Sequence, residues 1–224
     1  MSCPVSLWIK ICANTSLEDA LLAAEAGADA VGFVFAPSPR RVTVEQAGAI
    51  VPHLPPGLEK IGVFVEAGFE EIAATVEGAG LTGVQLHWEA PAELAGRLRA
   101  RFGPRLRILG VLHFDAENAA RSGIHSGDDA PLDAVLVDSR TAEAPGGTGV
   151  RFDWAAARKT LFSNGARKQI AAGGLTPENV AEAIATLRPW GVDVASGVES
   201  APGRKEAAKV RTFVANARAA AHHK

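Results

Sequence analysis

The stretch LWIKICANTSLEDALLAAEAGADAVGFVF (7–35) reads as one strand–helix–strand unit. LWIKIC (7–12) and AVGFVF (30–35) are short apolar runs of strand length, and SLEDALLAAEAG (16–27) between them repeats Leu and Ala at helical spacing. The ends of that helix carry start and stop chemistry. Thr15 or Ser16 can cap its first turn, Glu18 and Asp19 favour its positive pole, and Gly27 can end it. Strands apolar along their whole length are expected when both faces of a sheet are covered, as happens when helices cross over between parallel strands.

The same alternation continues outward from this unit. KIGVFV (60–65), GVQLH (83–87), RILGVL (107–112), DAVLVD (133–138), KQIAAG (168–173) and VDVAS (192–196) bring the strands to eight. VEQAGAIV (44–51), EEIAATVEGAG (70–80), PAELAGRLRARF (91–102) and PENVAEAIATL (177–187) carry helical spacing between them. Thr176-Pro177 gives another helix start, with Asn179 in its first turn. From Asp115 to Asp129 a short helix is expected to give way to a loop rich in Gly, Ser and Asp. Eight such units predict an α/β fold, a single (β/α)8 TIM barrel spanning residues 1–224 as one catalytic domain. The alternative is an open doubly wound sheet, which usually has fewer strands and often a nucleotide loop after the first. Here Cys12-Ala13-Asn14 follows the first strand, with no GxGxxG or GxxxxGK[ST] element.

Composition narrows the partners. Apolar residues make up 47% of the chain and charged residues 21%, which argues against disorder and fibrous structure. A net charge of -2 provides no broad basic field, so neither nucleic acid nor an anionic membrane is an expected partner. A small anionic metabolite remains, held by a local set of donors. Cys3 and Cys12 do not form a CxxC pair or a disulfide framework, and no run is long and apolar enough to span a bilayer. A cytoplasmic protein is expected. His222 and His223 read as a frayed helix end in preference to a metal-binding tail.

In a barrel of this kind chemistry gathers where the loops leave the C-terminal ends of the strands. Those positions hold Cys12, the Phe35–Arg41 loop, Glu66, His87, His113, Asp138, Gly173-Gly174 and Ser196-Gly197. AAGGL (171–175) and ASGVE (195–199) close the last two strands, where backbone N–H groups and a short helix commonly cradle phosphate, and the PGGTG loop (145–149), with Gly147 at its centre, can fold over the same anion. Ordinary turns are the competing explanation for each glycine singly. Asp138 follows AVLV and reads either as a general acid or as a helix cap or arginine partner. Cys12 reads either as a small buried hydrophobe or as a thiol whose proton is loosened by an electropositive mouth. Arg41 can hold a substrate carboxylate in bidentate fashion, with Arg40 its neighbouring candidate. His87 and His113 lack HxH or HExxH spacing, so hydrogen bonding or packing is favoured over metal ligation, and no metal is expected.

Taken in order, IKIC, TSLEDALLAAEAGADAVGFVFAPSPRRV, KIGVFV, GVQLH, VLVDS, GGTGVRFDW, AAGGLTPENV and VDVASGVESAPGRK resemble the phosphoribosylanthranilate isomerase family along nearly the whole chain. The resemblance implies an Amadori rearrangement in tryptophan biosynthesis without cofactor or metal. By the same resemblance Asp138 is the general acid, Cys12 the general base, and Arg41 the holder of the anthranilate carboxylate. Gly174 and Gly197 fall in the implied phosphate cradle, with Gly147, Gly173, Ser196 and His87 as further substrate-binding candidates. Two positions depart from the family pattern: Ala13 and Trp88 stand where glycines are usual, which bears on turn geometry and pocket width. The rivals are a histidine-pathway aminoaldose isomerase, expected to carry Asp where this chain has Cys12, and a non-catalytic sugar-phosphate-binding barrel. The expected partner is a small phosphorylated substrate, with a monomer favoured over a homodimer.

Overall fold

The computed structural model describes residues 7–87, 92–113, 131–138, 154–162 and 167–221. Eight parallel strands close into a barrel in chain order: β1 (Trp8–Ile11), β2 (Ala30–Val34), β3 (Glu59–Phe64), β4 (Gly83–His87), β5 (Arg107–His113), β6 (Ala134–Asp138), β7 (Gln169–Ala171) and β8 (Gly191–Val194). β8 returns to β1, with Trp8 opposite Gly191 and Ile11 opposite Val194. Closure rules out the open-sheet alternative and leaves the ring without a free edge.

Helices α1 (Leu17–Glu25), α2 (Val44–Ile50), α3 (Phe69–Ala79), α4 (Ala92–Phe102), α5 (Trp154–Thr160), α6 (Val180–Leu187) and α7 (Ala207–Ala221) follow their strands. Local chemistry fixes their ends. The Ser16 hydroxyl accepts from the Asp19 N–H, so Ser16 caps α1, while the Thr15 hydroxyl donates to the Gly203 carbonyl at 2.6 Å. Thr43 and Gln46 form a reciprocal capping box on α2, and α3 stops at Gly80 in the left-handed region, φ +67°. The helix expected to open at Pro177 starts at Val180 instead. The Asn179 side chain accounts for the delay: its Oδ1 accepts from the Thr176 N–H at 2.8 Å and its Nδ2 donates to the Gly174 carbonyl at 2.8 Å, folding the approach into a turn. The 115–129 segment, Trp88, and the terminal His222 and His223 lie outside the described residues.

Successive strand residues point alternately out and in. Outward residues such as Ile9, Ile11, Phe33, Val84, Ile108 and Val137 form one core with the helices. Inward residues form a second: Trp8, Ala30, Ile61, Leu109, Leu136 and Ile170 fill the lower barrel. Trp8 of this group stacks on Trp190 at 5.4 Å between centroids, with Lys168 over the Trp190 ring at 4.7 Å. One level up, the inward positions of β1, β4 and β8 turn polar: Lys10, Gln85 and Asp193 are all buried. Among the described residues no helix is long and apolar enough to cross a membrane.

Candidate active site at the barrel mouth

Cys12 leaves β1 at the level above Lys10 and is only 6% exposed. Its N–H donates to the Val194 carbonyl at 2.8 Å, which ties it to the end of β8. Ala13, next in the chain, adopts φ +62°, a left-handed conformation in which a Cβ is crowded. Asn14 holds the turn from within: its amide nitrogen donates to the Ile11 carbonyl at 2.8 Å and to Gly32 at 3.3 Å. Gly32 on β2 leaves room for the thiol, since a Cβ there would lie 2.7 Å from Cys12 Sγ and 2.9 Å from Lys10 Cε.

Below the thiol, Lys10 Nζ donates to Asp193 Oδ1 at 2.9 Å and to Gln85 Oε1 at 2.8 Å. Burial alone would lower the pKa of Lys10, but the charges of Asp193 and Cys12 outweigh it and hold the ammonium above its ordinary value. Cys12 moves the other way from the sequence expectation. Burial pushes its thiol up, and the pull of Lys10 and the weaker pull of Lys205 do not offset that, while Asp193 adds to the rise. The thiol is therefore harder to ionise than a solvated one, because removal from water costs the thiolate more than the nearby cations return.

Asp138 ends β6 and pairs in register with His113 of β5. Ala134 and Leu136 belong to the inward-facing core, and the two-residue alternation carries Asp138 onto the same face. Lys10 is inward on β1 by its contacts, so Cys12 likewise continues an inward column. Because all strands run parallel, both residues stand at one end of one barrel. His87 ends β4 two residues beyond the inward Gln85 and is half-buried. The backbone of His113 is at the same rim.

The two neighbouring arginines separate cleanly. Arg40 is committed to Glu199: its Nε donates to both carboxylate oxygens at 3.0 Å, and Nη2 to Oε2 at 2.7 Å. Lys205, with a fully buried side chain, donates to the same carboxylate at 3.1 Å and to the Ala195 carbonyl at 3.3 Å. Burial opposes ionisation of Glu199, but these two cations hold its pKa below the usual range. Arg41 is exposed, its N–H donating to the Ser38 carbonyl at 3.1 Å, and its guanidinium has no hydrogen-bond partner among the described residues.

Gly173 and Gly174, at φ +79° and +62°, turn the chain after β7. Ser196 begins a single 3-10 turn, Ser196–Val198, after β8. Gly197 joins the two: a Cβ there would fall 1.9 Å from the Leu175 carbonyl oxygen, so the second loop rests directly on the backbone of the first. Gly147 and the rest of its loop lie outside the described residues. Among the described residues, no cluster of three or more His, Cys, Asp or Glu side chains is arranged to hold a metal ion.

Sequence reasoning missed Lys10, Gln85, Asp193 and the Glu199–Lys205 pair. For Lys10 and Asp193 a signal existed, because each is a lone charge inside an otherwise apolar strand. Glu199 and Lys205 meet only through the hairpin of β9 (Glu199–Ala201) and β10 (Arg204–Lys205), which sequence spacing does not reveal.

Residues 9–216 match the family model described as N-(5'phosphoribosyl)anthranilate (PRA) isomerase. A Geobacter sulfurreducens protein named N-(5'-phosphoribosyl)anthranilate isomerase is 44% identical, the match covering 94% of this chain and 98% of that one. The crystal structure of phosphoribosyl anthranilate isomerase from Thermus thermophilus superposes with a TM-score of 0.78 at 40% identity, covering 94% of this chain and 98% of that one. Another structure of such an isomerase, in complex with reduced 1-(o-carboxyphenylamino)-1-deoxyribulose 5-phosphate, gives 0.76 at 35% identity over 95% of this chain and 99% of that one.

Proposed function

The chain belongs to the N-(5'-phosphoribosyl)anthranilate isomerase family, and from that premise we propose how its own residues carry the reaction. It is an aldose–ketose isomerase acting in tryptophan biosynthesis. The substrate's phosphate rests on the N–H groups around Gly173, Gly174, Ser196 and Gly197, with Gly147 as a further ligand, and Arg41 receives the anthranilate carboxylate. His87, half-buried at the end of β4, is a further substrate-binding residue. Asp138 protonates the furanose ring oxygen, and the ring opens to a Schiff base. The Cys12 thiolate then takes the proton from C2. The C–H electrons form the enolamine, which becomes the ketone of 1-(2-carboxyphenylamino)-1-deoxyribulose 5-phosphate.

The observation that carries this reading is that Cys12 and Asp138 continue the inward columns of β1 and β6 at one end of one barrel. The commitment of Arg40 to Glu199 supports Arg41 as the carboxylate ligand. A non-catalytic sugar-phosphate binder would have no use for the acid–base pair. The enzyme is read as a cytoplasmic monomer, one domain over its length, working on a small phosphorylated substrate and not on nucleic acid. Sedimentation at assay concentration tests the monomer.

The direct assay follows loss of phosphoribosylanthranilate fluorescence. Cys12→Ala and Asp138→Asn are each expected to lower kcat by roughly 10²–10⁴-fold with phosphate affinity kept. Near-normal turnover in either variant rejects its role. Since the base is the deprotonated form of a thiol whose pKa burial raises, kcat is expected to climb with pH through neutrality into the alkaline range.

A further inference from the structure

A lysine with no exposed surface inside a barrel is an expensive choice where Met or Leu would fill the same space. Lys10 has three N–H donors, and Asp193 and Gln85 take two of them. The Lys10 side chain and the Cys12 thiol flank the same face of Gly32, and the charge of each favours the ionised form of the other. Gly32 makes the approach feasible, because any Cβ there would meet Cys12 Sγ at 2.7 Å and Lys10 Cε at 2.9 Å. The other charged groups acting on the thiol are already engaged. Asp193 belongs to Lys10, while Lys205 and Arg40 both share Glu199.

Resting on the assignment of Cys12 as base, we infer that Lys10, held in place by Asp193 and Gln85, is a positioning residue whose fixed ammonium serves as the counter-charge of the Cys12 thiolate. When the thiolate accepts the C2 proton, the C–H electron pair becomes the C1–C2 double bond and the iminium nitrogen takes up the displaced pair. Lys10 keeps its proton throughout. Its contribution is to make the negative sulfur attainable in a place where burial disfavours it. The polar layer is thus part of the working base, and the thiol's ionisation responds to both members of the ion pair, in opposite directions.

The test needs no substrate. In a Cys3→Ser background, thiolate formation at Cys12 is titrated by its ultraviolet absorbance, taken as the difference from the same protein carrying Cys12→Ser. Lys10→Met is expected to move the titration to higher pH by about one unit or more, a tenfold loss of thiolate at any pH below the transition. Asp193→Asn, which removes a negative charge and leaves the ammonium, is expected to move it to lower pH. The acid limb of the kcat profile follows in both variants. An ion pair serving stability alone predicts an unmoved titration, or the same direction in both variants, and either result overturns the inference. If Lys10→Met does not fold, the direction of the Asp193→Asn shift decides alone. Wild-type protein that titrates as expected but leaves phosphoribosylanthranilate unchanged would reject the substrate reading and keep the ion pair. Turnover with unmoved titrations would do the reverse.

Discussion

Two groups of side chains inside the barrel, meeting on β1 where Trp8 and Lys10 are two residues apart, obey opposite rules. Below, Trp8, Ile61, Leu109, Leu136 and Ile170 pack as an ordinary apolar core. Above, Lys10, Gln85 and Asp193 put a salt bridge and an amide where hydrocarbon would be more stable. Shape decides the lower level and charge the upper one. A buried ion pair seldom improves stability over well-packed apolar residues, so its place directly under Cys12 points to chemistry as the reason for keeping it.

The largest way to break this contrast is to remove one charge. Lys10→Met alone, which strands Asp193, is expected to cost about 3–5 kcal/mol of unfolding free energy in urea, whereas Lys10→Met with Asp193→Leu is expected to match or exceed the wild type. Equal losses in the single and double variants would mean that the layer is ordinary packing. Next in size, Leu136→Ala in the lower level is expected to cost about 3 kcal/mol through the cavity it leaves, without shifting the pH dependence of kcat. A shifted profile would show that the two levels are coupled. At the rim, Gly197→Ala forces a methyl against the Leu175 carbonyl and is expected to raise KM roughly tenfold, about 1.4 kcal/mol, with far less effect on kcat. An unchanged KM would dissociate these loops from phosphate. The smallest effect is a gain: Ala13→Gly relieves a left-handed alanine and is expected to add about 1 kcal/mol, seen as a higher urea midpoint.

The same contrast explains what was legible beforehand. The lower level and the outer core follow from apolar runs and their spacing, so eight strands, their order and a cap at Thr15 or Ser16 can be read from residues alone. The rim positions of Cys12 and Asp138 follow too, since a residue that ends an apolar strand must stand at a barrel end. For Cys12 the residues left two readings open, a small buried hydrophobe and a thiol with a loosened proton; spacing could not weigh burial against nearby charge, and burial is the larger effect. Arg40 and Arg41 are adjacent and chemically identical in sequence. Only the hairpin that brings Glu199 beside Arg40 tells them apart. Lys10 and Asp193 are 183 residues apart, and their meeting depends on β8 closing against β1.

The seating of Gly197 on the Leu175 carbonyl has a consequence for engineering and for descent. Two segments that touch without an intervening side chain cannot vary in length or course one at a time. Grafting either turn from another barrel would fail unless its mate were transplanted with it, so the pair behaves as one heritable module although more than twenty positions of chain lie between its halves.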